Sequence, residues 1–132
     1  MWRGRSKYGN KVIVTQEGKF DGKQEYARWL FLKDAERDGL ITNLRRQVEY
    51  TLIPRQTKTK ITHLKTKDKI DNDAFAEHPV KYLADFVYEK NGEPVVEDFK
   101  GLRTGEYIIK RKLMLYVYDI AIREVERPAE PI

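Results

Sequence analysis

Three charged residues, Asp85, Asp98 and Lys100, have a type and spacing that suit metal-assisted chemistry on a phosphate. They lie in two apolar-rich runs that flank the pair Asn91-Gly92. An Asn-Gly pair predicts a tight β-hairpin, because both residues tolerate the positive φ angles of a type I′ turn. With Asn91 and Gly92 as the two loop residues, Asp85 falls directly opposite Asp98.

Side chains alternate between the two faces of a strand, so this register places Asp85, Asp98 and Lys100 on one face of the hairpin. Two carboxylates in opposed positions repel each other, and the repulsion raises the pKa of one of them. A divalent cation bound between them relieves the repulsion. Mg²⁺ suits that position, since it is a hard ion commonly held by one or two carboxylates together with water and phosphate. Lys100 is placed to orient a water or to stabilise charge on a phosphate.

The same residues also fit two arrangements that need no metal. An exposed hairpin with solvated charges is the simpler interpretation of an Asp-x-Lys triplet. A three-residue loop would shift the register by one residue and send Asp85 and Asp98 to opposite faces. The metal interpretation therefore depends on the register of this hairpin.

The composition describes a highly charged globular chain. Its 132 residues are enough for a single domain, 1–132, with a modest core. A formal net charge of +5 suits a polyanionic partner, although it can also serve an acidic protein partner or solubility. The absence of cysteine excludes disulfides and thiolate metal sites, and two histidines cannot make a His-rich zinc site. No run is long and apolar enough to span a membrane, and the basic N-terminus lacks the apolar core of a secretory signal, so we expect a cytoplasmic protein with no membrane partner.

Two basic segments are candidates for nucleic-acid contact. An N-terminal arm, residues 1–11, places Arg3, Arg5 and Lys7 among aromatic residues, and such mixtures can neutralise phosphates and stack on bases. A solvated tail is the alternative. The second segment is a basic insert loop, residues 55–78, in which lysines alternate with threonines at several positions. The insert fits either a β-ribbon with lysines on one side or a flexible basic loop, and its candidate contacts are Lys58, Lys60, Lys65 and Lys67.

Local signals predict two helices and further strands around the hairpin. Asp21 is a candidate N-cap for a first helix that runs to about residue 38 and stops at Gly39. Alternating apolar residues predict a half-buried strand over 43–53. Thr104 is a candidate N-cap for a second helix that runs to about Tyr118. Its expected apolar stripe consists of Ile109, Leu113, Tyr116 and Val117. A final strand over 120–125 and a loose C-terminal tail over 127–132 complete the chain.

The order helix, three strands, helix, strand resembles the core of the PD-(D/E)XK nuclease superfamily, and more narrowly a group of small phage-encoded proteins within it that resemble Holliday-junction resolvases. The sequence segments that carry the resemblance are KYGNK at 7–11, FDGKQEYARWL at 20–30, ADF at 84–86 and VEDFKG at 96–101. It spans most of the chain apart from the insert. The resemblance implies an α/β (α+β) fold with a restriction-endonuclease-like αβββαβ core, in which a mixed central sheet is flanked by helices.

The resemblance also implies roles for individual residues. Asp85 and Asp98 match the two acids of the motif and would be metal ligands, and Lys100 matches its lysine. Glu25 matches the first-helix glutamate that completes the metal site in the resolvase-like branch. Ala84 departs from the motif at its proline, which carries no ligand.

The activity implied is Mg²⁺- or Mn²⁺-dependent hydrolysis of DNA phosphodiester bonds. We expect a homodimer that acts on branched duplex DNA in phage recombination or replication, in the host cytoplasm. Gln47 is a weaker candidate for supporting the metal ligands. Arg103 and Lys110, with the arm and the insert, would hold the DNA backbone, and such contacts carry little sequence information. Two alternatives remain, a nucleic-acid-binding module without catalysis and a small phage protein that inhibits or binds another protein.

Overall fold

The computed structural model describes residues 11–99 and 102–132. Arg3, Arg5, Lys7 and Lys100 lie outside these described residues. The elements along the chain are β1 (Ile13–Thr15), β2 (Gly18–Phe20), α1 (Lys23–Arg37), β3 (Thr42–Ile53), β4 (Gln56–His63), β5 (Asp68–Glu77), β6 (Val80–Lys90), β7 (Glu93–Phe99), α2 (Gly105–Tyr118) and β8 (Arg123–Val125).

A four-stranded mixed sheet with the order β3-β6-β7-β8 forms the centre of the fold. Its first three strands pair antiparallel, and β7 pairs with β8 in parallel. Helix α1 packs on one face through a core cluster that includes Leu32, Phe86 and Tyr88. Helix α2 packs through a second cluster that includes Val96 and Met114. The prediction of an α/β (α+β) fold with a mixed central sheet flanked by helices is therefore confirmed, and α1, β3, β6, β7, α2 and β8 follow the expected order.

The hairpin between β6 and β7 has the predicted register. Asn91 and Gly92 both have positive φ angles, 53° and 79°, as a type I′ turn requires. Lys90 pairs with Glu93 across the turn. The same register continues through the ladder to Phe86 and Glu97, so the next positions, Asp85 and Asp98, lie opposite each other.

In β3 and in β6, side chains of the same parity change from one face of the sheet to the other partway along the strand. Both changes occur at the same level of the sheet. On β6, Tyr82 and Ala84 pack in the cluster of α2, whereas Phe86 and Tyr88, at the same parity, pack in the cluster of α1. The change falls at Asp85. On β3 it falls at Gln47, whose left-handed φ of 55° interrupts the regular alternation. The flanking pairs of the ladder place Gln47 opposite Asp85.

The ends of the helices follow the sequence signals in three cases out of four. Thr104 is the N-cap of α2 and its Oγ1 accepts the N–H of Tyr107 at 3.1 Å. Tyr118 is the last residue of α2, and Gly39, with φ 80°, follows the C-cap of α1. The prediction of Asp21 as an N-cap was wrong, because Gly22 occupies that position without a side-chain cap.

The expected apolar stripe of α2 was wrong except at Leu113, which packs against the core. The helix buries Tyr107 and Met114, whereas Ile109 and Tyr116 are 61% and 88% exposed. Its other three residues were misassigned because aromatic and aliphatic residues occur all around this helix.

The insert and the tail are more ordered than a loop and a loose end. Residues 55–78 form a two-stranded antiparallel ribbon from β4 and β5, so the ribbon alternative describes the insert and the loop does not. In the tail, the backbone carbonyls of Pro128 and Ile132 accept hydrogen bonds from Arg28 and Lys90 at 3.1 and 2.9 Å, which contradicts a loose 127–132 segment.

The final strand covers only Arg123–Val125. Neither helix in the described part of the chain has the length and apolarity needed to cross a bilayer.

Candidate metal centre

Three carboxylates predicted from the sequence come together beside the face change of β6. Asp85 stands on β6 and Asp98 opposite it on β7, and Glu25 reaches them from the first turn of α1. Asp98 and Glu25 are 4% and 6% exposed, and Asp85 is half-buried. The fold therefore brings acids from three separate elements close together, with Asp85 beside each of the other two.

Asp85 is in direct contact with both other carboxylates. Burial raises its pKa well above the ordinary value, and the charges of Asp98 and Glu25 raise it further. A hydrogen bond from the backbone N–H of Phe99 to Asp85 Oδ2, at 2.9 Å, acts in the opposite direction. Because the raising effects dominate, Asp85 holds a proton more readily than an exposed aspartate and can share it with its neighbours.

Glu25 has a similar balance of effects. Burial raises its pKa and so does the charge of Asp21. The backbone N–H of Asp21 donates to Glu25 Oε2 at 2.6 Å, and this bond lowers the pKa, as does the side-chain hydrogen bond with Asp85. The hydrogen bond from the Asp21 N–H also fixes the orientation of the Glu25 carboxylate at the start of α1.

Tyr82 supports Asp98 and was missed by the sequence analysis. Its hydroxyl donates to Asp98 Oδ2 at 2.6 Å within the buried region. Burial raises the pKa of Tyr82, and the charge of Asp98 raises it further, so the hydroxyl remains a donor throughout the ordinary pH range. Simple alternation along β6 would place Tyr82 on the face away from Asp98, and the exchange of faces at Asp85 brings it to the same side.

Arg46 is a second residue that the sequence analysis missed. Its guanidinium lies 3.8 Å from the centre of the Phe20 ring, and it donates to the backbone carbonyls of Glu17 and Lys19. Its charge lowers the pKa of Glu25. The Arg46 side chain approaches the backbone of Gly18 closely, since a Cβ on Gly18 would lie 2.6 Å from Arg46 Nη1. Arg46 thus ties the β1-β2 hairpin to β3 beside the acids.

The chemistry of this donor set suits a hard divalent cation. All three groups offer carboxylate oxygens, the ligands that Mg²⁺ and Mn²⁺ prefer. Among the residues that the structure describes, no three His, Cys, Asp or Glu side chains are already arranged as a metal-binding group. What the geometry shows is a pairwise contact of Asp85 with Asp98 and with Glu25.

A buried ion pair holds α1 against the strand that carries Asp98. Arg28 Nη2 lies 2.7 Å from Glu97 Oε2, and Arg28 Nε donates to Glu97 Oε1 at 2.9 Å. Arg28 is one turn after Glu25, and Glu97 immediately precedes Asp98. The pair therefore fixes the distance between the elements that supply two of the three acids.

The remaining candidate residues differ in their availability. Gln47 is exposed on β3. Arg103 Nε forms an ion pair with Glu124 at 2.9 Å, and Lys110 forms one with Glu106 at 3.0 Å, so both are engaged within the chain. The candidate lysines of the ribbon are all exposed, Lys58 and Lys60 on β4 and Lys65 and Lys67 in the turn that follows it.

Comparison with known proteins identifies a family and no individual relative. No curated protein and no solved structure is significantly similar to the chain. One family, described as protein of unknown function (DUF1064), matches residues 5–126. This match includes all three acids, both helices and the ribbon. The chain therefore belongs to the DUF1064 family.

Proposed function

We propose that this protein is a metal-dependent DNA endonuclease that hydrolyses phosphodiester bonds in the host cytoplasm. The observation that carries the proposal is the contact of half-buried Asp85 with buried Asp98 and Glu25. Burying carboxylates together opposes folding, because burial and mutual repulsion both disfavour their ionised forms. Perturbed acids of this kind are concentrated at functional sites.

The three acids would hold Mg²⁺ or Mn²⁺ through carboxylate oxygens. A bound ion of this class lowers the pKa of a coordinated water and neutralises charge on the phosphate. The resemblance to PD-(D/E)XK nucleases supports this assignment, since Asp85, Asp98 and Glu25 occupy the positions of the acids in that pattern. Lys100, by the same resemblance, would align the attacking water.

Residues of the chain hold the acids in orientation. The backbone N–H of Phe99 directs Asp85, the backbone N–H of Asp21 directs Glu25, and the hydroxyl of Tyr82 directs Asp98. Hydrogen bonds that orient metal ligands tune both ligand geometry and metal affinity. Each acid thus has a defined donor within the described residues.

The proposed substrate is branched duplex DNA, and the proposed assembly is a homodimer that cuts two strands. Both follow from the resemblance to resolvases, and the formal net charge of +5 suits a DNA partner. The exposed apolar residues Ile109 and Tyr116 on α2 offer a surface that a second copy can cover.

Cleavage of a labelled four-way junction tests the proposal, with matched linear duplex and single-stranded DNA as comparison substrates. Wild type, Asp98→Ala and the control Asp34→Ala, which changes an exposed acid on α1, are each assayed with Mg²⁺, Mn²⁺ and EDTA. We expect metal-dependent cutting by wild type and Asp34→Ala, fastest on the junction, and none by Asp98→Ala. DNA binding without cutting under all these conditions would indicate a binding module instead. Absence of both binding and cutting would favour a protein-binding role.

A further inference from the structure

The ribbon of β4 and β5 extends the β3-β6 pair beyond the body of the protein. Ile53 pairs with Val80 at the end of one ladder, and Gln56 pairs with Glu77 at the start of the next, in the same register. Every residue of β4 is exposed, and neither core cluster includes a residue from the ribbon. The ribbon therefore contributes nothing to the two cores.

Two prolines separate the ribbon from the sheet. The shared register places Pro54 opposite Pro79, between the last pair of one ladder and the first pair of the other. Neither proline has an N–H to donate, so the hydrogen-bond ladder is interrupted on both strands at one level. Beyond this break, the ring of Phe75 contacts the guanidinium of Arg55 and the ring of His78 at the base of the ribbon.

The two faces of the ribbon differ in chemistry. Lys58 and Lys60 lie two positions apart on β4 and share one face, and Lys69 lies on the same face because it pairs with Thr62. Asp71, which pairs with Lys60, lies on this face as well. The opposite face carries the pair Ile61 and Ile70, which are 52% and 60% exposed. The lysine-bearing face is called the basic face below.

The charge of the ribbon lysines is only partly offset within the ribbon, where Asp71 lies opposite Lys60. Some lysines of the body form ion pairs, as Lys81 does with Glu49 at 3.0 Å and Lys110 with Glu106. Within the part of the chain that the structure describes, no lysine of the ribbon is in an ion pair with a carboxylate. Their side chains are exposed and remain available for phosphates.

We propose that the ribbon is a DNA-binding arm that enters the major groove of a duplex with its basic face. Two strands spaced about 4.8 Å apart, with their side chains, match a groove about 12 Å wide that is known to admit a two-stranded ribbon. The eight residues of β4 span about 26 Å, so the ribbon can follow the groove over that length. Its lysines contact the phosphates that line the groove. The inference rests on the proposed action on DNA for its ligand.

The same dimensions disfavour two other positions for the arm. The minor groove of undistorted B-form DNA is about 6 Å wide, so a ribbon with side chains on both faces enters it only if the DNA is bent and the groove widened. The major groove of A-form RNA is deep and narrow, so the arm cannot enter it either. The proposal therefore specifies duplex DNA over duplex RNA.

Binding to a labelled DNA duplex in EDTA tests the arm independently of cleavage. The variant Lys58→Ala/Lys60→Ala/Lys69→Ala removes the basic face. Arg37→Ala/Lys81→Ala/Arg127→Ala removes the same charge elsewhere, and Ile61→Thr/Ile70→Thr changes only the opposite face. At 0.1 M salt we expect the first variant to bind at least about tenfold more weakly, with a salt slope lower by roughly 2 to 3, and both controls to bind like wild type.

The groove is tested on the wild-type protein. Methylation of guanine N7, which lies in the major groove, should weaken binding, whereas methylation of adenine N3 in the minor groove should not. An RNA duplex of the same sequence should bind more weakly than the DNA, and the basic-face substitutions should leave its affinity unchanged.

The outcomes separate the arm from the nuclease. Equal weakening by the basic-face variant and its charge-matched control, or sensitivity to adenine N3 methylation alone, would overturn the arm and leave the nuclease untouched. Cleavage that fails while the arm behaves as expected would overturn the nuclease and leave the arm. A wild-type protein that binds no DNA would overturn both.

Discussion

The guanidinium of Arg28 meets the carboxylate of Glu97 at 2.7 Å, and both side chains are fully buried between α1 and the sheet. Tyr88 also donates to Glu97, and Arg28 reaches the backbone of the C-terminal segment at Pro128. The ion pair thus joins the helix that supplies Glu25 to the strand that supplies Asp98.

Removal of one partner of this pair should destabilise the protein strongly. In Arg28→Met the charge of Glu97 would lose its principal partner while remaining buried, and such losses amount to about 3–5 kcal/mol in the free energy of unfolding. Arg37→Met on the same helix is the control, because the ion pair of Arg37 with Asp34 is exposed and contributes about 1 kcal/mol or less. Urea denaturation measures both, and a similar small loss in the two variants would contradict the role of Arg28.

The raised pKa of Asp85 makes the stability of the fold depend on pH in a defined direction. Between the ordinary value, 3.8, and its raised pKa, the folded state binds more protons than the unfolded state. Stability therefore falls as pH rises through that window, and the loss is complete above the raised pKa. Below pH 3.8 the penalty is absent.

Asp85→Asn should remove this penalty, because asparagine cannot ionise and its carbonyl can still accept from Phe99. We expect the free energy of unfolding to exceed that of wild type at pH 8 by on the order of 1 kcal/mol, and the difference to vanish near pH 3.5. Denaturation in EDTA across this range measures it, with exposed Asp73→Asn as the control. A difference that is constant with pH would show that ionisation of Asp85 carries no cost.

Divalent cations should stabilise the wild-type protein, because an ion bound by the folded state alone shifts the unfolding equilibrium. At a concentration ten times the dissociation constant the gain is about 1.4 kcal/mol, which corresponds to a rise of a few degrees in Tm. We expect Mg²⁺ or Mn²⁺ to produce this rise in wild type and Asp73→Asn, and a much smaller one in Asp98→Asn. KCl of equal ionic strength is the control for screening, and an equal rise in KCl would contradict a specific site.

The opposition of Asp85 and Asp98 was predictable because it depends on a local signal. Asn91 and Gly92 determine the turn, and the turn determines the register of the strands on either side. The exchange of faces next to it was not predictable, since it involves a left-handed backbone at Gln47, a residue type that gives no such indication. That exchange is why Tyr82 escaped the sequence analysis.

Buried charges and docked ends were also beyond the reach of the sequence. Arg28 and Glu97 are 69 positions apart, and each alone resembles an ordinary surface residue of a helix or strand. Prolines near the C-terminus suggested a loose end, whereas the carbonyls of that segment accept hydrogen bonds from Arg28 and Lys90. Such features depend on distant partners, which composition and periodicity do not specify.

Tyr82 should act as a positioning residue for Asp98, and Tyr82→Phe tests it by deleting one hydroxyl. Loss of the 2.6 Å hydrogen bond to Asp98 Oδ2 leaves the carboxylate less well oriented, and losses of this kind reduce metal affinity by about 10- to 100-fold. The Mg²⁺ midpoint of the thermal shift should therefore move to a concentration at least about tenfold higher. Tyr88→Phe is the matched control, because its hydroxyl donates to Glu97 and not to a candidate ligand. It should lower Tm without moving the Mg²⁺ midpoint, and an equal shift of the midpoint in both variants would reduce Tyr82 to a purely structural role.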